Sequence, residues 1–119
     1  MTKGKLKQLL PSLREKKRYL AYEVISNNKI MDFRKVNEAI LEASHKLHGL
    51  SGTAEAGMIN LENKWNAGLQ KGILKISHKQ VDKTRAALTF VTKVDSQNAV
   101  IRSVGMSGIL KKAEKKFIV

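Results

Sequence analysis

RYLAYEVISNNKIMDFRKVNEAILEASHKLHG, residues 18–49, carries two periodicities in one run. Arg18 to Ser26 is rich in β-branched and aromatic side chains and ends at Asn27-Asn28, a turn signal, so it reads as a strand. Asp32 then offers a side-chain oxygen to the first amides of a helix. Phe33, Val36, Ile40, Ala43 and Leu47 recur at three- and four-residue steps up to Gly49. That spacing predicts an amphipathic helix with a glycine stop.

Working outward, Gly52 to Ala54 reads as loop. Ala56–Asn63 and Gly68–Ser77 are strand-like runs separated by Lys64 to Ala67, the spacing of a hairpin. Ser77 with Gln80 resembles a capping box that opens a second helix. Its apolar face is Val81, Leu88 and Val91, widened by Ala87, Phe90 and Val94. Asn98 to Met106 reads as a further strand, which Gly108 breaks. Ile109, Ala113 and Phe117 then fall at four-residue spacing on a terminal helix over about residues 108–118. The order predicts an α+β fold of the ferredoxin-like or RNA-recognition-like kind: a four-stranded antiparallel sheet, two helices packed on one face, and an extra C-terminal helix. The second sheet face is then open, or covered by the extra helix or a partner. Residues 1–17 sustain no period around Pro11 and read as a basic N-terminal arm. Residues 18–119 read as one domain.

The 119 residues include 23 Lys plus Arg against 10 Asp plus Glu, a net charge of +13, and no Cys. Without Cys there is no disulfide framework, thiolate nucleophile or zinc site using sulfur. No run approaches the roughly 18 apolar residues of a membrane span. The Lys-rich N-terminus lacks the apolar core of a signal peptide, so a cytoplasmic protein without membrane contact is expected. In residues 1–18, Lys3, Lys5, Lys7, Arg14, Lys16, Lys17 and Arg18 oppose only Glu15, a net of +6. In residues 109–119, Lys111, Lys112, Lys115 and Lys116 oppose only Glu114, a net of +3. The ends thus carry most of the charge, which suits a polyanionic partner.

Catalytic chemistry finds little support. Glu42, His45 and His48 share a helix face without a fourth metal ligand, and a solvated polar face explains them better. His78 stands alone and reads as a capping or surface residue. The loop Ser51 to Gly57 lacks the Gly-Lys-Ser/Thr ending of a phosphate loop. The carboxylates form no acid–base pair. An acylphosphatase-like enzyme needs an arginine in a phosphate cradle after the first strand, where Asn27 to Met31 offers only Lys29. No residue is expected to be catalytic or to bind a metal.

RNA binding fares better, with a change of mode. Lys71-Gly72-Ile73-Leu74-Lys75-Ile76 begins as an RNA-recognition strand does, but aliphatics stand where the stacking aromatics belong. Lys71, Ile73 and Lys75 alternate onto one side, giving a mixed basic and apolar face. Lys111 with Lys115, and Lys112 with Lys116, are four residues apart and occupy adjoining parts of one helical face. A phosphate backbone would relieve their mutual repulsion and release counterions. The expected RNA contacts are Arg14, Lys16, Lys17, Arg18, Lys71, Lys75, Arg102, Lys111, Lys112, Lys115 and Lys116. Trp65, Ile73, Ile109 and Phe117 are expected to dock a protein partner. A ribosomal or RNA-chaperone protein would share this charge and fold.

The run Leu10 to Val24 (LPSLREKKRYLAYEV) closely resembles the start of the archaeal ribonuclease P protein component 2 family. Ser107 to Glu114, on to Phe117, resembles that family's C-terminal signature. The glycine-containing turn after the first helix and Ala87 to Val91 also fit, so the resemblance covers roughly residues 9–118. It implies a non-catalytic subunit of an RNA-based enzyme that removes the 5′ leader from precursor tRNA. It further implies an RNA-recognition-like fold without stacking aromatics, acting on the catalytic domain of the ribonuclease P RNA. The other implied partner is a larger barrel-type protein subunit, often in a two-plus-two assembly. The protein binds no cofactor on this view; Mg2+ serves the RNA.

Overall fold

Alternation along β1 (Lys17–Ser26) divides the strand between two environments. Leu20, Tyr22 and Val24 point to one side, where they meet Leu74 and Ile76 of β3 (Lys71–Ser77) and Ala99 and Ile101 of β5 (Gln97–Ser107). Val36, Ile40 and Ala43 of α1 (Phe33–Ala56) and Val81 and Leu88 of α2 (Val81–Thr89) close this core from above. The structure, a computed structural model, describes residues 16–118. The arm expected over residues 1–17 therefore lies mostly outside the described residues.

The sheet runs β2-β3-β1-β5-β4, with every pairing antiparallel. β2 is Ile59–Asn60 and β4 is Lys93–Val94. Five strands replace the expected four. The added β4 exists because Asp95 and Ser96 both adopt positive φ (51° and 64°), which folds Lys93-Val94 back onto Gln97-Asn98 as a tight hairpin. The run expected as a strand over 56–63 shortens to β2 and a 3-10 turn at Glu62–Lys64.

Asp32 caps α1 as expected, its carboxylate accepting from the Arg34 amide at 2.9 Å. Gly49 does not stop the helix. It kinks it (φ 74°, ψ −178°), and the chain continues helically through the expected loop to Ala56 before Gly57 ends it in the left-handed conformation. Thr53 Oγ1 donates to the Gly49 carbonyl and lies 2.8 Å from Ser44 Oγ, fastening the second segment to the first. The capping box at Ser77 does not form. A 3-10 turn (His78–Gln80) precedes α2, and the buried Ser77 hydroxyl has no partner. Phe90, expected on the apolar face of α2, stands outside it and is exposed.

Candidate nucleic-acid interface

One end of the second sheet face is covered by this chain's own last helix, while Ile25, Val100 and Arg102 on the same face stay exposed. In β5 one extra residue, Val104, bulges between Ser103, opposite Tyr22, and Gly105, opposite Ala21. The bulge puts Gly105 on the face away from α1 and α2. There the ring of Phe117 lies so close that a Cβ on residue 105 would collide with it. Phe117 belongs to α3 (Leu110–Phe117), which packs on β1 and β5 with Ala113 fully buried. The row Ile73–Ala21–Gly105 passes beneath α3, and both Ile73 and Ala21 have no exposed surface.

This arrangement corrects one expected partner contact. Ile73 shares a side with Lys71 and Lys75, but α3 buries it, so no partner can reach it. Phe117 is half-buried against Gly105, where one side of its ring seats the helix. Trp65 is also half-buried, stacked on Tyr22 with ring centroids 6.2 Å apart and planes 19° apart. Ile109 remains, 52% exposed at the entry to α3.

Gly72 has a structural duty. A Cβ there would collide with the Tyr22 ring and hydroxyl. The Tyr22 hydroxyl donates to Asn60 Oδ1 at 2.9 Å, and burial pushes this phenol far above its ordinary range. Packing against Tyr22 thus requires a glycine after Lys71.

The four α3 lysines are brought together. With Leu110, Ala113 and Phe117 turned to the sheet, Lys111, Lys112, Lys115 and Lys116 occupy the outward arc and are exposed. Among the described residues none has a carboxylate within salt-bridge distance. Lys116 Nζ stands 5.8 Å from the centroid of the Phe117 ring. The only carboxylate of α3, Glu114, is held by Lys64 at 2.7 Å. Opposed charges within the helix are therefore drawn aside, and the arc is uniformly cationic.

The other expected cations are placed unevenly. Arg18 lies beside Gly108 at the entry to α3, its guanidinium donating to the Lys17 carbonyl at 3.2 Å. Lys75 and Lys71 lie half-buried on the rows flanking the covered one. Arg102 Nε donates to Glu23 Oε1 at 2.7 Å, so its charge is already answered across the strands. Lys17 forms the first residue of β1, with Nζ near Gly57. Lys16 is exposed, and its carbonyl accepts from the His78 amide. Arg14 lies outside the described residues. The arc of α3 with Arg18 is thus the coherent part of the expected set.

Sequence reasoning singled out Trp65 but missed the rest of the surface beside it. Lys64, in the turn at Glu62–Lys64, bridges to α3, and a groove opens between residues 63–67 and Glu114, Lys115 and Ile118. A tryptophan among asparagines and lysine was the available signal. His48, weighed as a metal ligand, instead donates from Nε2 to the Lys83 carbonyl at 2.8 Å, tying the end of the first α1 segment to α2. The loop at 27–31 forms no phosphate cradle, since the Ile30 amide donates to the buried Gln70 Oε1. No helix among the described residues is long and apolar enough to cross a membrane.

Comparison with known proteins agrees with this fold. A family model described as the Rpp14/Pop5 family matches residues 18–118. "Ribonuclease P protein component 2" of Thermococcus gammatolerans is 39% identical over 118 residues, 96% of this chain and 92% of that protein. The protein of the same name from Methanosarcina acetivorans is 42% identical over 113 residues, 95% of this chain and 82% of that one. A chain in a cryo-EM structure of yeast ribonuclease MRP has the same fold, with a TM-score of 0.63 at 10% identity, covering 80% of this chain and 76% of that one. With the family match spanning the folded region and these identities spanning nearly whole chains, the protein belongs to the Rpp14/Pop5 family.

Proposed function

We propose that this chain is a non-catalytic, RNA-binding protein component of ribonuclease P, supporting the catalytic RNA in removing the 5′ leader of precursor tRNA. The observation that carries the RNA contact is the outward arc of α3, four exposed lysines without a carboxylate partner among the described residues. The names of relatives similar over nearly the whole chain support the wider reading. Phosphodiester hydrolysis belongs to the RNA and its Mg2+; the chain holds no cofactor of its own. Its cations lower the repulsion among phosphates that a folded RNA must bring together. Its partners are the catalytic domain of the ribonuclease P RNA, precursor tRNA in the assembled enzyme, and a larger barrel-type protein subunit in a two-plus-two assembly. Ile109, the most exposed of the residues expected to dock a protein, is the leading candidate for that contact. The place of action is the cytoplasm, away from membranes.

The test is the salt dependence of RNA binding. Each phosphate neutralised contributes about −0.9 to the slope of log affinity on log salt for duplex and about −0.7 for single strands. Replacing Lys111, Lys112, Lys115 and Lys116 by alanine should flatten the slope by about 3 to 3.5. An unchanged slope would remove α3 from the interface. Reconstituted cleavage with the same variant should need more Mg2+. Ribosomal RNA recovered with the protein from cells, in place of ribonuclease P RNA, would favour the ribosomal alternative.

A further inference from the structure

The groove beside α3 is built differently from the lysine arc. One wall is Asn63, Trp65 and Asn66; the other is Glu114, Lys115 and Ile118. The Lys64–Glu114 ion pair joins the two walls at 2.7 Å and balances its own charge. Lys115 belongs both to the groove and to the cationic arc. Trp65 spends one ring face on Tyr22 and also lines the groove. The lining thus combines an aromatic ring, aliphatic carbon from Ala67 and Ile118, two side-chain amides, and a cation at the rim.

That combination matches one nucleotide out of its stack. A base has apolar faces and a hydrogen-bonding edge, and its phosphate is an anion at a fixed short distance. We propose that the groove takes a single unstacked nucleotide of RNA, with the base against Trp65 and the Asn63 and Asn66 amides, and the phosphate on Lys115. The inference rests on the reading that α3 binds RNA, and adds to it a preference for a single-stranded or bulged segment. Bases within a duplex are stacked and cannot enter. The lost sheet-face stacking is thereby replaced, in part, at the sheet's edge. Base–aromatic contact of this kind improves affinity by about tenfold.

Trp65 is the only tryptophan in the chain, so its emission reports directly on the groove. The full chain is titrated with three probes: a mixed-sequence single-stranded RNA 12-mer, a blunt RNA duplex of equal length, and inorganic tripolyphosphate. Binding is followed separately by anisotropy of labelled RNA. The expected result is saturable quenching of Trp65 by the single strand, with the duplex bound but without quenching. Tripolyphosphate should compete for the lysines and leave Trp65 emission unchanged. Ala67→Leu, which fills the groove, should abolish quenching and weaken the single strand about tenfold, with duplex affinity within twofold of the parent. Asn63→Asp, at an exposed rim position, should act in the same direction if the leucine variant folds poorly. RNA bound with unchanged Trp65 emission, or equal quenching by duplex, overturns the groove proposal and leaves the α3 reading standing. Absence of binding by any RNA overturns both. A Trp65 response to a protein subunit alone would assign the groove to a protein and also overturn the proposal.

Discussion

Phe117 can lie on β5 only because residue 105 has no side chain, since a Cβ there would collide with three atoms of its ring. Gly105→Ala is therefore a probe of how α3 is seated. Forcing one extra methyl into a packed contact costs about 1–3 kcal/mol, taken here at its middle, about 2. Alanine regains about 0.5 kcal/mol over glycine within a strand, leaving a net loss of about 1.5. Phe117→Ala vacates the ring and should cost about 2 kcal/mol, below the 3–5 of a fully buried phenylalanine because this one is half-buried. In that background Gly105→Ala has nothing to strike and should stabilise by about 0.5 kcal/mol. The two substitutions should therefore couple by about 2 kcal/mol. Urea denaturation followed by far-UV circular dichroism gives the four free energies by linear extrapolation. Strict additivity would mean that the ring does not rest on Gly105, and the account of how the lysine arc is held would fail with it.

Gly72→Ala should destabilise by about 1–3 kcal/mol through the Tyr22 ring and leave the RNA affinity of the folded fraction unchanged; a specific loss of RNA binding would restore Gly72 as an RNA-reading residue. Tyr22 has a folded-state pKa above its unfolded value, so its contribution to stability is complete below about pH 10 and declines as pH rises further. Denaturant midpoints measured from pH 8 to 11 should fall at the alkaline end, and Tyr22→Phe should flatten that fall. Asp95→Asn with Ser96→Gly should stabilise by about 0.5–1 kcal/mol, because both positions already have positive φ; thermal melts that move downward would refute the hairpin.

The sequence made β1, the first half of α1, β3, the long last strand and the lysine face of α3 legible, since each depends on periodicity or on charge at fixed spacing. Gly49 misled because a glycine at positive φ serves a helix kink as well as a helix stop. What chose the kink was the Ser44–Thr53–Gly49 hydrogen bonding across it, which no local pattern announces. β4 was invisible because two residues have no period, and the turn that creates it uses Asp and Ser where glycine is the usual signal. Ile73 shows the limit of alternation most plainly. Its side of the strand was read correctly, but which side α3 covers depends on a bulge at Val104, some thirty residues away in the chain. Arg102 was legible as a cation and illegible as a partner of Glu23, because cross-strand register is a tertiary property.

The covered sheet has a consequence for how freely this surface can vary. A protein that reads bases on a sheet must keep particular rings at particular positions, and a single substitution there removes a letter of the message. Here the end of that face beneath α3 has become interior, answerable only to fit: Gly105 must stay small for as long as Phe117 lies across it. The outward arc answers to a different rule. Density of positive charge is what a phosphate backbone detects, so lysines could be exchanged for arginines or shifted around the arc with modest loss. The constraint has moved from the residues that would touch the RNA to the small ones, hidden beneath them, that hold the helix in place.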